Sequence, residues 1–276
     1  MLIPRQASHW LGIIIISLTS FGPDTSHATA YTDGFTWDRF TEFTTANNNN
    51  LDANGNPVWT YEWFTGFGTG ADYTNTNLMG TVYNWTPPRW GQGNVNVSAW
   101  DQNTGFRDAY NPSQTVSLLR WTNPTGDGSN IDIDGNLTLF WGGTTGGAGW
   151  YTSAIDARFV AGIHDVSTDA ITLLNDDLIT APFTGQNHYC GSSFGNCPNV
   201  TITLDHSVII DAGDSFFWTV IPLGTASANN RWLTLNDNGM NIGYHIPVVA
   251  AVVPEPSAFL LLASGLLLLG RNRFKT

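Results

Sequence analysis

Between residues 31 and 247 apolar and polar positions alternate in short runs, and no apolar stripe holds the 3.6-residue spacing of a long helix. The runs are punctuated by Gly, Asn, Asp and Pro, a pattern that predicts an antiparallel sandwich or barrel. They lie at 58–64, 78–85, 95–100, 115–121, 131–133 and 137–141, and then at 154–160, 170–174, 200–204, 207–210, 215–221, 231–235 and 242–246. Val200, Ile202 and Leu204 point one way and Thr201 and Thr203 the other, as in a half-buried strand. Phe216 to Ile221 is apolar on both faces and reads as a covered strand.

Asp134-Gly135-Asn136 is the strongest turn signal between two runs. A two-residue loop would put Leu137 and Leu139 on the face opposite Ile131 and Ile133. A three-residue loop gathers all four on one face, so burial favours a hairpin closed by Asn136 in a left-handed conformation. Polar stretches at 44–57 and 180–198 read as loops, and Asp211-Ala212-Gly213-Asp214 as a turn. No repeat of fixed period and no sharp composition shift divides the body. The fold expected is all-β, a single sandwich domain over 31–247, with 248–252 a linker or last strand.

Charge narrows the partners. From Tyr31 to Val253 there are twenty acids against six arginines, a net charge of −14. Such a surface repels phosphate backbones, which argues against nucleic acid, and suits cations or neutral and amphipathic ligands. Cys190 and Cys197 are the only cysteines. In an oxidising exterior they are expected to pair across a Gly-rich loop, contributing about 2–3 kcal/mol by the chain-entropy model. A redox or metal pair would want Cys-x-x-Cys spacing, which is absent.

The ends of the chain address the protein. Arg5 and His9 precede the apolar run Trp10–Leu18, and Ala28-Thr29-Ala30 supplies small residues for cleavage, so residues 1–30 read as a secretory signal peptide. At the other end Val253-Pro254-Glu255-Pro256 leads into an apolar run, 258–270, and a basic tail, 271–276. That order resembles the PEP-CTERM sorting signal of exported bacterial proteins. The resemblance implies the translocon and a membrane protease of the exosortase type as partners, and an envelope or extracellular destination. The 13-residue run would reach only about 20 Å as a helix, against about 30 Å of hydrocarbon, so a transient transmembrane hold is expected rather than a permanent anchor.

Within the body, Trp59-Thr60-Tyr61-Glu62-Trp63, Leu119-Arg120-Trp121-Thr122-Asn123-Pro124, Ile131-Asp132-Ile133-Asp134-Gly135 and Asp211-Ala212-Gly213-Asp214 carry a second resemblance. They look like the exported β-sandwich modules found ahead of such signals. This implies a jelly-roll-like fold comparable to carbohydrate-binding modules, and by itself no activity.

Two candidate sites follow. Asn130, Asp132 and Asp134 alternate before Gly135 as the oxygen ligands of a calcium loop do, although Trp141 stands where a bidentate Glu belongs. The same residues are equally the outward positions of an amphipathic hairpin. Asp52-Ala53-Asn54-Gly55-Asn56 is a weaker calcium candidate, better explained as an Asx-rich turn. Of eleven tryptophans beyond the signal peptide, most belong to packing. Trp85 and Trp90, flanking Thr86-Pro87-Pro88-Arg89, are the candidates for exposed rings that stack on sugars.

Catalysis has no local support. A glycosidase needs two carboxylates across a cleft; Glu42 and Glu62 are the only glutamates of the body, and Glu62 lies in a strand between Tyr61 and Trp63. His164, His188, His206 and His245 have no zinc spacing, and no Gly-x-Ser-x-Gly elbow occurs. The expected function is an exported cell-surface or matrix protein, not an enzyme, needing no cofactor beyond structural calcium, with polysaccharide as its ligand. A secreted carbohydrate-active enzyme and a purely structural matrix protein are the alternatives.

Overall fold

The computed structural model describes residues 31–65, 71–84, 88–92, 95–99, 101–105, 114–141, 150–151, 155–182, 188–189, 199–224, 232–237 and 240–246. In chain order these form β1 (Phe35–Asp38), the short helix α1 (Arg39–Glu42), β2 (Asn50–Leu51), β3 (Pro57–Thr65), β4 (Asn77–Leu78), β5 (Thr81–Tyr83), β6 (Arg89–Gln92), β7 (Val95–Val97), β8 (Asp101–Gly105) and β9 (Thr115–Thr122). They continue with β10 (Ser129–Trp141), β11 (Trp150–Tyr151), β12 (Ala157–Asp165), β13 (Ala170–Ile179), β14 (His188–Tyr189), β15 (Asn199–Ile210), β16 (Ser215–Pro222), β17 (Trp232–Asp237) and β18 (Asn241–His245).

The protein is all-β and antiparallel. One nine-stranded sheet runs β1-β18-β10-β17-β8-β7-β6-β5, with β15 on the far side of β10. A seven-stranded sheet runs β13-β12-β16-β9-β3-β2, with β4 on β3. Their facing sides share one core: Trp37, Ile131, Leu137, Trp141 and Leu233 from the first meet Trp59, Leu119, Trp121, Phe159 and Trp218 from the second, all buried. Trp37 and Trp121 touch across the gap at 4.9 Å between ring centroids. A smaller cluster covers the back of the seven-stranded sheet, where Tyr73 stacks on Phe217 at 5.2 Å.

No hairpin forms at Asp134-Gly135-Asn136. β10 is one continuous thirteen-residue strand that pairs along its length with β15, with Gly135 opposite Leu204. The physical reason lies in the phase. Ile131, Ile133, Gly135, Leu137, Leu139 and Trp141 are all odd-numbered and all buried, so an unbroken strand satisfies the same burial the hairpin was meant to satisfy. β15 likewise fuses two shorter expected strands across Asp205 and His206.

The Asn-rich stretch 44–57 is less a loop than a plug. Asn48 brackets Tyr61, donating to its carbonyl and accepting from its amide, and Asn50 accepts from the Tyr61 hydroxyl. Asp52 closes the expected Asx turn by accepting from the amides of Asn54 and Asn56, with Gly55 at φ 84°. Asp211–Asp214 is the expected turn, between β15 and β16. The signal peptide at 1–30, Cys190 and Cys197, Trp85, and everything from 247 on, including Val253, Pro254, Glu255, Pro256 and the run 258–270, lie outside the described residues. Among the described residues no helix is long and apolar enough to cross a membrane.

Candidate functional site

On the side of the nine-stranded sheet turned away from the shared core, β6, β7, β8 and β17 carry a row of buried polar side chains. Strand alternation sends Trp90, Val97, Leu235, Leu139 and Ile202 inward. It sends Arg89, Asn96, Asn103, Thr234 and Thr138 outward. In register Gly91 lies opposite Asn96, Asn96 opposite Asn103, and Asn103 opposite Thr234, so one transverse row crosses four strands.

That row is wired together. Thr234 donates to Asn103 Oδ1 at 2.6 Å, and Asn103 Nδ2 donates to Asn96 Oδ1 at 2.9 Å. Arg89 reaches the same Asn96 oxygen at 2.9 Å and grips Asp101 with both terminal nitrogens, at 2.7 and 2.9 Å. Ser98 adds a hydroxyl to the Asp101 carboxylate. Every side chain in the network is buried. The Asn96 amide nitrogen, however, has no hydrogen-bond partner among the described residues. A buried donor left unmatched costs about 1–3 kcal/mol.

Beside the row sits a ring. Tyr83 pairs with Arg89 in register and is partly exposed. Its ring lies over Gly91 so closely that a Cβ at position 91 would fall 2.1 Å from Tyr83 Cε2. The absence of a side chain at 91 is what lets the ring lie down on the sheet. A partly exposed amphipathic ring flat on a sheet is chemically suited to pack on the C–H groups of a sugar.

Farther along this face β10 and β15 carry Asn130, Asp132, Asp134 and Asn136 opposite Ile209, Ser207, Asp205 and Thr203. These are the expected calcium ligands, and they stand on an extended strand rather than a loop. Alternate residues there are about 6.6 Å apart, too far to wrap one ion. Asp132 instead meets His245 Nε2 at 3.0 Å, and Asn130 accepts from Ser207. Among the described residues no group of three or more His, Cys, Asp or Glu is placed to hold a metal.

Trp90 is not an exposed platform. It lies on β6 between Val82 and Val97, faces the core and donates its indole N–H to the Thr44 carbonyl at 2.9 Å. Arg89 next to it, buried in an ion pair, shows why: both faces of β6 are covered. Trp85, the other ring singled out from the sequence, lies outside the described residues. Tyr83, two residues before Trp85, was legible only as part of a strand.

Two other polar centres lie on β3 and on α1. Glu62 accepts from Arg120, Thr60 and Thr76, and Arg120 in turn holds Ser215, His164 and the Tyr73 carbonyl. A carboxylate so fully engaged is a clamp, not a catalytic acid. Glu42, on α1, accepts from the Trp59 indole at 2.6 Å. Burial pushes its carboxyl up from 4.5 to about 7, with Asp52 and Asp38 adding to the rise and the Trp59 bond opposing it. Arg39 of the same helix bonds Asp237 and the Ser98 carbonyl, so α1 ties the two sheets together.

No protein-family model and no curated protein matches the chain. Among solved structures it is similar to the CBM22-1 xylan-binding domain from Paenibacillus barcinonensis Xyn10C, at TM-score 0.31 and 12% identity, over 79% of this chain and 99% of that one. It is also similar to the K2 cleaved adhesin domain of Lys-gingipain, at TM-score 0.24 and 11% identity, over 81% and 94%. Likeness at this level identifies neither a family nor a ligand.

Proposed function

We propose that this is an exported cell-surface or matrix protein that binds polysaccharide on the outer face of its nine-stranded sheet. The observation that carries the ligand is the partly exposed Tyr83 ring laid over Gly91. Export rests on the signal-like residues 1–30 and on the Pro-Glu-Pro tail, which support delivery by the translocon and trimming by an exosortase-type protease. Glu62 is engaged in its clamp with Arg120, and the binding reading is preferred to a purely structural one because of the partly exposed Tyr83 ring on the sheet.

The test is affinity electrophoresis of the full chain against a panel of soluble polysaccharides. At least one is expected to retard the protein, with Tyr83→Ala abolishing the retardation while leaving the melting temperature within about 3 °C. Binding that survives Tyr83→Ala unchanged would move the site elsewhere. Export and trimming are tested by mass spectrometry of the protein recovered from its native host, where an intact Thr276 terminus would count against processing.

A further inference from the structure

We infer that the free edge of β15 is a self-association surface, on which a second copy of this chain lays its own β15 antiparallel. The nine-stranded sheet then continues from one molecule into the other. The inference rests on strand edges and does not depend on the glycan reading.

An edge strand offers a row of backbone N–H and C=O groups to any strand that comes alongside, and proteins ordinarily blunt such edges with shortness, bulges or charge. Most edges here are blunted. β1 has four residues, β5 three, and β2 and β4 two each. β13 has ten, but its pairing with β12 shifts register at Ala161/Gly162, which leaves Leu174 as a bulge, and Asp176 and Asp177 follow. β15 carries none of these devices apart from one acid, Asp205. Its twelve residues pair with β10 without a register shift, and with no other strand among the described residues. They include no Gly, Pro, Lys or Arg, and seven of them are Val, Ile or Thr.

The alternation of β15 points to a second copy as the occupant. Its even-numbered residues are buried or half-buried, and its odd-numbered ones are all exposed. A two-fold axis normal to the sheet keeps exposed positions opposite exposed ones. Centred on Leu204, such an axis overlaps residues 199–209 of the two copies. On the outer face Thr203 then meets Asp205 and Thr201 meets Ser207; on the inner face Val200 meets Val208 and Leu204 meets its own copy. His206, already bonded to Asn175 of β13 at 2.7 Å, meets Ile202. Moving the axis by one residue would set Asp205 directly against itself, so this acid selects the register. The overlap is about 37 Å long at 3.4 Å per residue. At an edge about 12 Å thick it buries about 900 Å² over both copies, the size of a weak, reversible contact. From Tyr31 to Val253 twenty acids face six arginines, so copies repel at long range. Asp205 and the Asp134 opposite it gather near the axis from both copies. Salt therefore strengthens this dimer, whereas it would weaken the docking of a basic partner.

The experiment follows the full chain, dilute and concentrated, by sedimentation velocity and by amide exchange read by mass spectrometry, in about 20 mM and about 0.5 M NaCl. Concentration is expected to shift the chain toward dimer, more so at high salt. It is also expected to slow exchange at least tenfold within 199–209 while leaving β13 unchanged. Asp205→Asn should strengthen the dimer at least threefold at low salt. Thr203→Asp, which sets a new carboxylate against Asp205 of the second copy, should abolish it with the melting temperature unchanged. Association that survives Thr203→Asp, as contact through the terminal segments would, overturns the inference. So does association that salt weakens, which would mark the basic tail 271–276 on the acidic body, and so does protection that appears on β13 instead. A chain that stays monomeric in every condition, with Asp205→Asn included, overturns it as well. None of these outcomes touches the glycan reading, which the Tyr83→Ala retardation assay tests separately.

Discussion

Glu42 makes stability depend on pH in a direction opposite to that of most carboxylates. Its carboxyl rises from 4.5 to about 7 on folding, chiefly through burial. Below pH 4.5 the group is protonated in both folded and unfolded chains and has no effect. Between 4.5 and 7 the unfolded chain releases the proton while the folded one keeps it, so stability falls as pH rises, and above 7 the loss is complete. At 1.36 kcal/mol per pH unit, the rise of 2.5 corresponds to at most about 3 kcal/mol, and to about half of that once the partial exposure of the side chain is allowed for. Glu42→Gln removes the ionisation yet keeps an oxygen for the Trp59 indole. Urea unfolding of both proteins from pH 4 to 9 isolates the effect in their difference. The variant is expected to match the parent at pH 4 and to exceed it by about 1.5–3 kcal/mol at pH 8. A difference that is the same at both pH values, or a variant less stable at pH 8, would refute the reasoning and show that the carboxylate is stabilised where it sits.

Three further changes probe the rest of the molecule. Gly91→Ala places a methyl group inside the Tyr83 ring, so the ring must lift; glycan retardation should fall at least tenfold at an overpacking cost of about 1–3 kcal/mol, and unchanged binding would sink the platform. Asp205→Lys converts the Asp134–Asp205 repulsion into an attraction and should raise the urea midpoint by an amount equivalent to about 0.5 kcal/mol in low salt but not in 0.5 M salt; a loss of stability would mean that the two acids share a cation. Arg120→Met strands Glu62 in its buried clamp and should cost about 3–5 kcal/mol, much of it recovered by Arg120→Met/Glu62→Gln; equal melting of single and double variants would show that the charge is solvated.

The sequence showed most of the strands because their apolar phase is local. Val58–Phe64, Thr115–Trp121 and Ser215–Ile221 were each expected within a residue or two of β3, β9 and β16. Where the phase ran through a turn-prone triplet, as at Asp134-Gly135-Asn136, local turn chemistry and the long-range partner disagreed, and twelve paired positions on β15 outweighed the triplet. β8 was invisible for the opposite reason: Asp101, Gln102, Asn103 and Thr104 contain no apolar side chain, yet all four are buried. Its burial is settled by partners far off in sequence, Ser117 on one face and Asn96 and Thr234 on the other. The same holds for the site. A tryptophan beside a Pro-Pro loop is a conspicuous signal, whereas a tyrosine lying over a glycine eight residues away declares itself only in the register of β5 and β6.

The contrast among the buried arginines bears on where function lies. Arg120 ties Glu62, Ser215, His164 and the Tyr73 carbonyl into one clamp, and Arg39 joins α1 to the ends of β7 and β17. Those clamps fasten one piece of backbone to another. The Arg89–Asp101 pair does something else: with Ser98, it orders the side-chain row Asn96–Asn103–Thr234 on an outward face. A buried ion pair is weak evidence for stability, since an apolar pair of the same volume often does as well. The same corner also tolerates an unmatched amide at Asn96 and a glycine where a strand would normally place a side chain. Each of these lowers the stability of an isolated sheet, and the glycine lets the Tyr83 ring lie over the strand. Costs that converge on one corner, while the other arginine centres fasten backbone, support the proposal that the Tyr83 ring marks a ligand surface.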